Sequence, residues 1–223
     1  MSVLMERART VVREVFGHDE LRAGQDDIVR AVLNGNDVLG VLPTGGGKSL
    51  CYQVPALLFP HMTIVVSPLI ALMKDQTERL RARGIAAYAV HGGMTSGDVN
   101  AVMSEAGRGG VRLLYVAPER LASATFRRLV RPMPISLLTV DEAHCISEWG
   151  HDFRPEYRRL RTIFDEIKRV PVIALTATAT GKVQEDILKN LDIPNAVTYK
   201  ASFNRPNLFY EVRPKRDVNR EIT

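Results

Sequence analysis

Apolar residues recur along this chain in two rhythms. Near the start, Leu4, Ala8, Val11, Val12 and Val15 fall on one helical face, and the pattern predicts a helix over residues 3–15. A second helix is predicted over residues 24–33. Further along, short runs are apolar or β-branched almost throughout: residues 37–42, 62–67, 86–90, 111–116, 135–141, 172–176 and 196–199. A strand with one wet face alternates apolar and polar positions, whereas a continuous apolar run signals burial on both faces. Helical patterns fill the intervals. Strands of this kind alternating with helices predict an α/β fold, a mainly parallel sheet with helices on both faces. Such sheets carry their ligands at the carboxyl ends of the strands.

The strand ends are where this sequence places its chemistry. The first run leads into Pro43, Thr44, Gly45, Gly46, Gly47, Lys48 and Ser49, and a helical pattern follows. Glycines let backbone N–H groups approach a polyanion closely, a lysine meets the outer phosphates and a hydroxyl meets Mg²⁺, so this is a P-loop in its proper strand-to-helix setting. A strict P-loop pattern has glycine at position 42, where this chain has Leu42. The run at 135–141 ends in Asp141 and Glu142, followed by Ala143 and His144. A nucleotide hydrolase needs such carboxylates at a second strand end: Asp141 to reach Mg²⁺, in part through water, and Glu142 to accept a proton from the attacking water. Ser67-Pro68-Leu69 and Ala117-Pro118-Glu119-Arg120 close two more strands with a proline, a helix start and an outward arginine, a pattern suited to phosphates. Thr176, Thr178 and Thr180 close another, and helix capping accounts for only one of them.

Composition narrows the picture modestly. The chain has 223 residues, 45% of them apolar, enough for one substantial α/β core. Its formal charge of +5 favours a polyanionic partner weakly. Cys51 and Cys145, the two cysteines, argue for neither a disulfide framework nor a zinc site and fit an intracellular home. No run of eighteen apolar residues predicts a membrane span.

The ordered set of motifs resembles the first RecA-like motor domain of superfamily 2 helicases of the DExH type, and within them the RecQ family. The resemblance covers nearly the whole chain. It rests on Leu21-Arg22-Ala23-Gly24-Gln25, on residues 42–49, on Ser67 through Gln76, on Ala117 through Leu121, on Asp141 through His144 and on Leu175 through Thr180. The most specific stretch is Cys145-Ile146-Ser147-Glu148-Trp149-Gly150-His151-Asp152-Phe153-Arg154-Pro155-Glu156-Tyr157, which is similar to the aromatic-rich loop that couples single-stranded DNA to ATP hydrolysis in that family. Its residues suit such coupling. Trp149 and Phe153 offer stacking surfaces, Gly150 a flexible joint and Arg154 a cation, and a base stacked on an aromatic gains about 1–3 kcal/mol whatever its identity. The resemblance implies that Gln25 reads adenine, Arg22 shapes the nucleotide pocket, Lys48 and Ser49 bind phosphate and Mg²⁺, and His144 connects the nucleotide site to the 176–180 segment. Lys74, Arg120, Trp149, Phe153 and Arg154 would face single-stranded or partly duplex DNA. Leu21 stands where the family often has phenylalanine, and His18 where an aromatic often packs on the base.

The same resemblance implies a second RecA-like domain bearing an arginine finger, a device that contributes about 10³–10⁵ in rate in related NTPases. The expectation is therefore a motor domain over residues 1–199, a linker over 200–223 toward that absent domain, and a chain that is half of a 3′-to-5′ DNA helicase of repair or recombination. Two other readings stay open: a nucleotide- and DNA-binding module without turnover, and a DExH RNA helicase domain, which would not call for the loop around Trp149.

Overall fold

The computed structural model describes residues 3–167, 169–202 and 211. Among them, all seven apolar runs form strands: β1 (Val38–Val41), β2 (Met62–Val66), β3 (Ala87–Val90), β4 (Leu113–Val116), β5 (Ile135–Val140), β6 (Val172–Thr176) and β7 (Val197–Lys200). They pair in parallel into one sheet in the order β3-β4-β2-β5-β6-β1-β7. The helices are α1 (Val3–Glu14), α2 (Gln25–Leu33), α3 (Leu50–Leu58), α4 (Ile70–Ala82), α5 (Ser96–Gly107), α6 (Pro118–Leu121), α7 (Ala124–Val130), α8 (Pro155–Arg158), α9 (Leu160–Asp165) and α10 (Gly181–Leu191).

The two-sided burial read from the apolar runs is seen in the central strands and not at the edge strands β3 and β7, which have a neighbour on one side only. Along β4, Leu113 and Tyr115 pack with α1 to α4, while Leu114 and Val116 pack into a second core with α5, α7, α9 and α10. Every residue of β1, β2, β4 and β6 is buried. Polar side chains start two of the helices: Thr95 and Asp98 form a reciprocal capping box on α5, and Thr180 accepts from Val183 at the head of α10. At the sheet's edge, β7 is largely exposed and runs to Lys200, and Ala201 N–H still donates to Val41 O. The sheet therefore reaches slightly past the expected domain end at 199. The expected linker, apart from residues 200–202 and 211, lies outside the described residues.

Strand order matters for function because β1, β6 and β5 are consecutive in the sheet. The P-loop, the threonine segment and the Asp141-Glu142 pair thus emerge side by side at one edge.

Gly40, in the middle of β1, lets α2 lie close on the sheet. A Cβ there would stand 2.6 Å from Leu175 Cδ2 and 2.9 Å from Ile28 Cδ1. Gly40→Ala is expected to lower unfolding stability by about 1–3 kcal/mol through overpacking. Urea denaturation reads the change, and an unaltered midpoint would show that the α2 contact yields without cost.

Candidate nucleotide and nucleic-acid site

Beyond β1 the chain turns through the glycine loop into α3. Gly46 N–H donates to Pro43 O at 2.8 Å, and Gly45 and Gly47 take left-handed φ values of 78° and 75°. A Cβ on Gly46 would meet Pro43 O at 2.8 Å, so the backbone geometry itself demands these glycines. Leu42 is buried in the core shared with α1 to α4, which gives a physical reason for an apolar side chain where the strict pattern has glycine. Lys48 and Ser49 lie at the start of α3, with Ser49 in the capping position, so the helix N-terminus points its amide groups toward the loop.

Gln25 at the head of α2 and Arg22 just before it grip this loop. Gln25 is buried; its Nε2 donates to Gly46 O at 3.1 Å and Gly47 O at 3.0 Å, and its Oε1 accepts from Arg22 N–H at 2.8 Å. Arg22 Nη1 donates to Gly45 O at 2.8 Å. Three successive loop carbonyls are thus tied to the two residues that the family resemblance expects to read the base and shape the pocket. A cavity of about 270 Å³ lined by His18, Glu20, Arg22, Gln25, Gly47 and Leu50 adjoins the grip.

Two strands away, Asp141 and Glu142 divide their properties sharply. Asp141 is 7% exposed, and burial, with the charge of Glu142, raises its carboxyl to about 6. Its carbonyl accepts from the fully buried Tyr157 hydroxyl at 3.0 Å. Glu142 adopts a left-handed φ of 48°, a costly conformation for a residue with a side chain, and its N–H donates to Asp141 Oδ1 at 3.0 Å. His144 Nδ1 lies 3.3 Å from Glu142 Oε2 and 2.9 Å from Thr176 Oγ1. The hydrogen bond from His144, helped by the charge of Lys48, holds Glu142 below its ordinary range. His144 therefore joins the acidic pair to the end of β6. Thr178 Oγ1 meets His151 Nδ1 at 3.3 Å, so the three threonines have three different roles.

The segment after His144 folds back over it. The His151 ring stacks on His144 at 4.1 Å between centroids. Gly150, read from sequence as a flexible joint, is instead a contact point: a Cβ there would lie 2.3 Å from His144 O, so only glycine allows the segment to approach so closely. Trp149 is 65% exposed, with Lys182 Nζ 3.1 Å from its ring centroid. A lysine in the first turn of α10 opposes the helix dipole, and the ring offers it an attraction in return. Phe153 is half-buried under the Arg158 guanidinium, and Arg154 pairs with Asp152 at 3.1 Å and donates to Pro68 O.

The expected nucleic-acid residues differ in freedom. Lys74 is exposed on α4. Arg120, expected to face outward, turns back to the β3–α5 connection, donating to His91 O at 3.1 Å and Met94 O at 3.2 Å. Sequence reasoning missed Tyr157 as the brace of Asp141 and Lys182 as the partner of Trp149. The misplaced charge of Lys182 at a helix start was the available signal.

Comparison with known proteins agrees with this geometry. Residues 22–187 match the DEAD/DEAH box helicase family. The chain is 43% identical over 225 residues to the ATP-dependent DNA helicase RecQ of Haemophilus influenzae, covering 100% of this chain and 36% of that protein. It is likewise 43% identical over 221 residues to RecQ of Bacillus subtilis, covering 98% of this chain and 37% of the relative. The chain thus spans about a third of the length of these relatives. Among solved structures, the DUF1998 helicase MrfA bound to DNA aligns with a TM-score of 0.68 at 22% identity, covering 85% of this chain and 29% of that one. An RNA helicase described as hypothetical from Sulfolobus tokodaii aligns at 0.66 and 21% identity, covering 90% and 57%. These two show the RecA-like fold alone. With the loop, the acidic pair and the sheet order in agreement, the chain belongs to the DEAD/DEAH box helicase family.

Proposed function

We propose that this chain is the ATP-binding, DNA-coupling half of a RecQ-like helicase motor that drives movement along single-stranded DNA. The observation that carries the reading is the packing of the Trp149 segment onto His144, whose ring also hydrogen-bonds the Glu142 carboxylate. A displacement of that segment by a bound strand is felt by the residue that partners the base.

Lys48 acts electrostatically on both Asp141 and Glu142 and is the cation for the nucleotide's outer phosphates. Glu142, held ionised by His144, accepts the proton of the attacking water. The donor set fits Mg²⁺: Asp141 is a buried carboxylate whose ionisation is disfavoured until a cation arrives, and Ser49 supplies a hydroxyl at the loop's end. Those two residues would hold the ion, which when bound neutralises charge on the phosphates. Trp149, Phe153, Arg154 and Lys74 form the DNA side. A second motor domain, implied by the share of the relatives that this chain covers, completes the ATP site. The test is steady-state ATP hydrolysis by this chain and by a form extended through the next domain, each with and without single-stranded DNA. The proposal expects DNA-stimulated turnover in the extended form, and its absence there would sink it.

Lys48→Ala is expected to weaken ATP binding by about 1.5–3 kcal/mol, the contribution of hydrogen bonds to a charged group; titration calorimetry reads it. Glu142→Gln, in the extended form, should lower kcat by about 10²–10⁴ with KM little moved, as removal of a general base requires; a loss confined to KM would reassign the residue to binding. Trp149→Ala should cost about 1–3 kcal/mol in single-stranded DNA affinity by fluorescence anisotropy, and unchanged affinity would reduce the ring to a partner of Lys182. In the nucleotide-free chain the Asp141 carboxyl keeps its proton to about pH 6, whereas an unfolded aspartate loses it near 3.8. Stability from this group is therefore lost as pH rises through that window. Asp141→Asn should melt higher than the parent at pH 8, by about 2–3 kcal/mol in stability from a shift of roughly two units, and the gap should close toward pH 4.

A further inference from the structure

The two cysteines of the sequence stand far apart and suggest no metal centre by themselves, but the fold surrounds one of them with other ligands. Cys145 Sγ lies 3.8 Å from His144 Nε2 and 3.7 Å from Asp152 Oδ2. All three ligand atoms lie within 4.8 Å of one another. We propose that His144 Nε2, Cys145 Sγ and Asp152 Oδ2 form a binding site for one zinc-class divalent cation, separate from any ion carried by a nucleotide.

The spacing is the first argument. With metal–sulfur bonds of about 2.3 Å and metal–nitrogen or metal–oxygen bonds of about 2.0–2.2 Å, tetrahedral geometry sets sulfur about 3.6 Å from each of the other ligands. The two separations from sulfur need to close by only a few tenths of an ångström, and the imidazole and carboxylate are brought together by the rotation of the Asp152 side chain. The second argument is the backing of the histidine. Glu142 Oε2 and Thr176 Oγ1 both face Nδ1, at 3.3 and 2.9 Å, and a carboxylate there favours the tautomer that carries its proton on Nδ1. That leaves the Nε2 lone pair directed at the sulfur, the arrangement in which a carboxylate orients a metal-binding imidazole. The third is access: His144 and Asp152 line a cavity of about 290 Å³ with Thr44, Glu142, His151 and Thr178, from which an ion enters and solvent supplies a fourth ligand.

Ligand type selects the ion. A thiolate and an imidazole suit zinc, cobalt or cadmium, and a hard cation such as Mg²⁺ prefers an all-oxygen set. Binding replaces the S–H bond by a metal–sulfur bond and gives the thiol proton to solvent. It also displaces Arg154, whose Nε and Nη2 lie 3.2 and 3.1 Å from the same Asp152 oxygen. An occupied site ties residue 152, and with it the segment bearing Trp149 and Phe153, to the strand end that carries Asp141. It takes up the far nitrogen of the histidine that partners Glu142. The ion is thus an inhibitory clamp, and its binding stands independently of the motor reading.

Co²⁺ titration of this chain, in excess Mg²⁺, tests the proposal without reference to catalysis. The expected result is a one-to-one complex with a near-ultraviolet thiolate-to-cobalt band and the strong visible bands of a tetrahedral ion, both lost on adding Zn²⁺. Only two thiols exist in the sequence, so the band is assignable: it should vanish in Cys145→Ser and persist in Cys51→Ser. Because Cys145 is wholly buried and its replacement threatens folding, two variants at half-buried positions supply an independent check. Asp152→Asn should weaken Co²⁺ at least about tenfold. Arg154→Gln should tighten it, since the competing guanidinium is gone. Absence of the thiolate band in the folded parent, its persistence in folded Cys145→Ser, or affinities unmoved by both Asp152→Asn and Arg154→Gln would each overturn the site.

Discussion

Burial of the sheet on both faces is the constraint from which the rest of this structure follows. Strands as fully covered as β1, β2, β4 and β6 offer no surface on which a polar group can act. Their chemistry must gather at the edge where the strands end, and there the backbone has unpaired groups to offer. Parallel pairing sends every strand end to the same side. The order β5-β6-β1 then sets the glycine loop, a hydroxyl segment and two carboxylates next to one another without any long excursion of the chain. Gly46 and Gly150 extend the same logic, because each lets one backbone approach another more closely than a side chain permits.

That crowding also separates the two carboxylates in behaviour. Asp141 and Glu142 are neighbours in sequence, yet one is pushed toward its neutral form by burial and the other is held ionised by His144. The left-handed backbone of Glu142 accompanies the division, turning the chain so that Glu142 meets His144 while Tyr157 secures the carbonyl of Asp141. Strain of this size is retained where surrounding contacts over-determine it, and here a buried tyrosine and an imidazole do so.

Much of this was legible in the chain. Continuous apolar runs marked the central strands because two-sided burial leaves no polar face to blur the pattern, whereas β7 carries such a run yet lies largely exposed at the sheet's edge, and the motifs at 43–49 and 141–144 announced their places by following buried runs. The threonines at 176, 178 and 180 were correctly read as too many for capping. Other features depended on distances that no one-dimensional pattern carries. The grip of Arg22 and Gln25 on the loop carbonyls joins residues more than twenty positions apart. Arg120 looked like an outward charge because the carbonyls it meets, of His91 and Met94, come from a different connection. Gly150 looked like a hinge because a glycine required by contact and one required by motion are the same letter. The strand order, which decides what the site contains, follows from packing of the whole sheet.

The last strand carries a mechanical consequence. β7 lies parallel to β1, paired from Val38 with Val197 to Val41 with Lys200, and Ala201 adds one more bond to Val41. The polypeptide therefore leaves this pairing right beside the strand that feeds the glycine loop. Tension reaching the chain through residue 201 pulls along β7 and loads its ladder in shear, all bonds together, instead of peeling them one at a time. Tyr199 adds a lateral stop, since its ring lies where a side chain on Gly24, just ahead of Gln25, would have to go. A pull on one end of this strand is thus delivered to the two elements that frame the glycine loop.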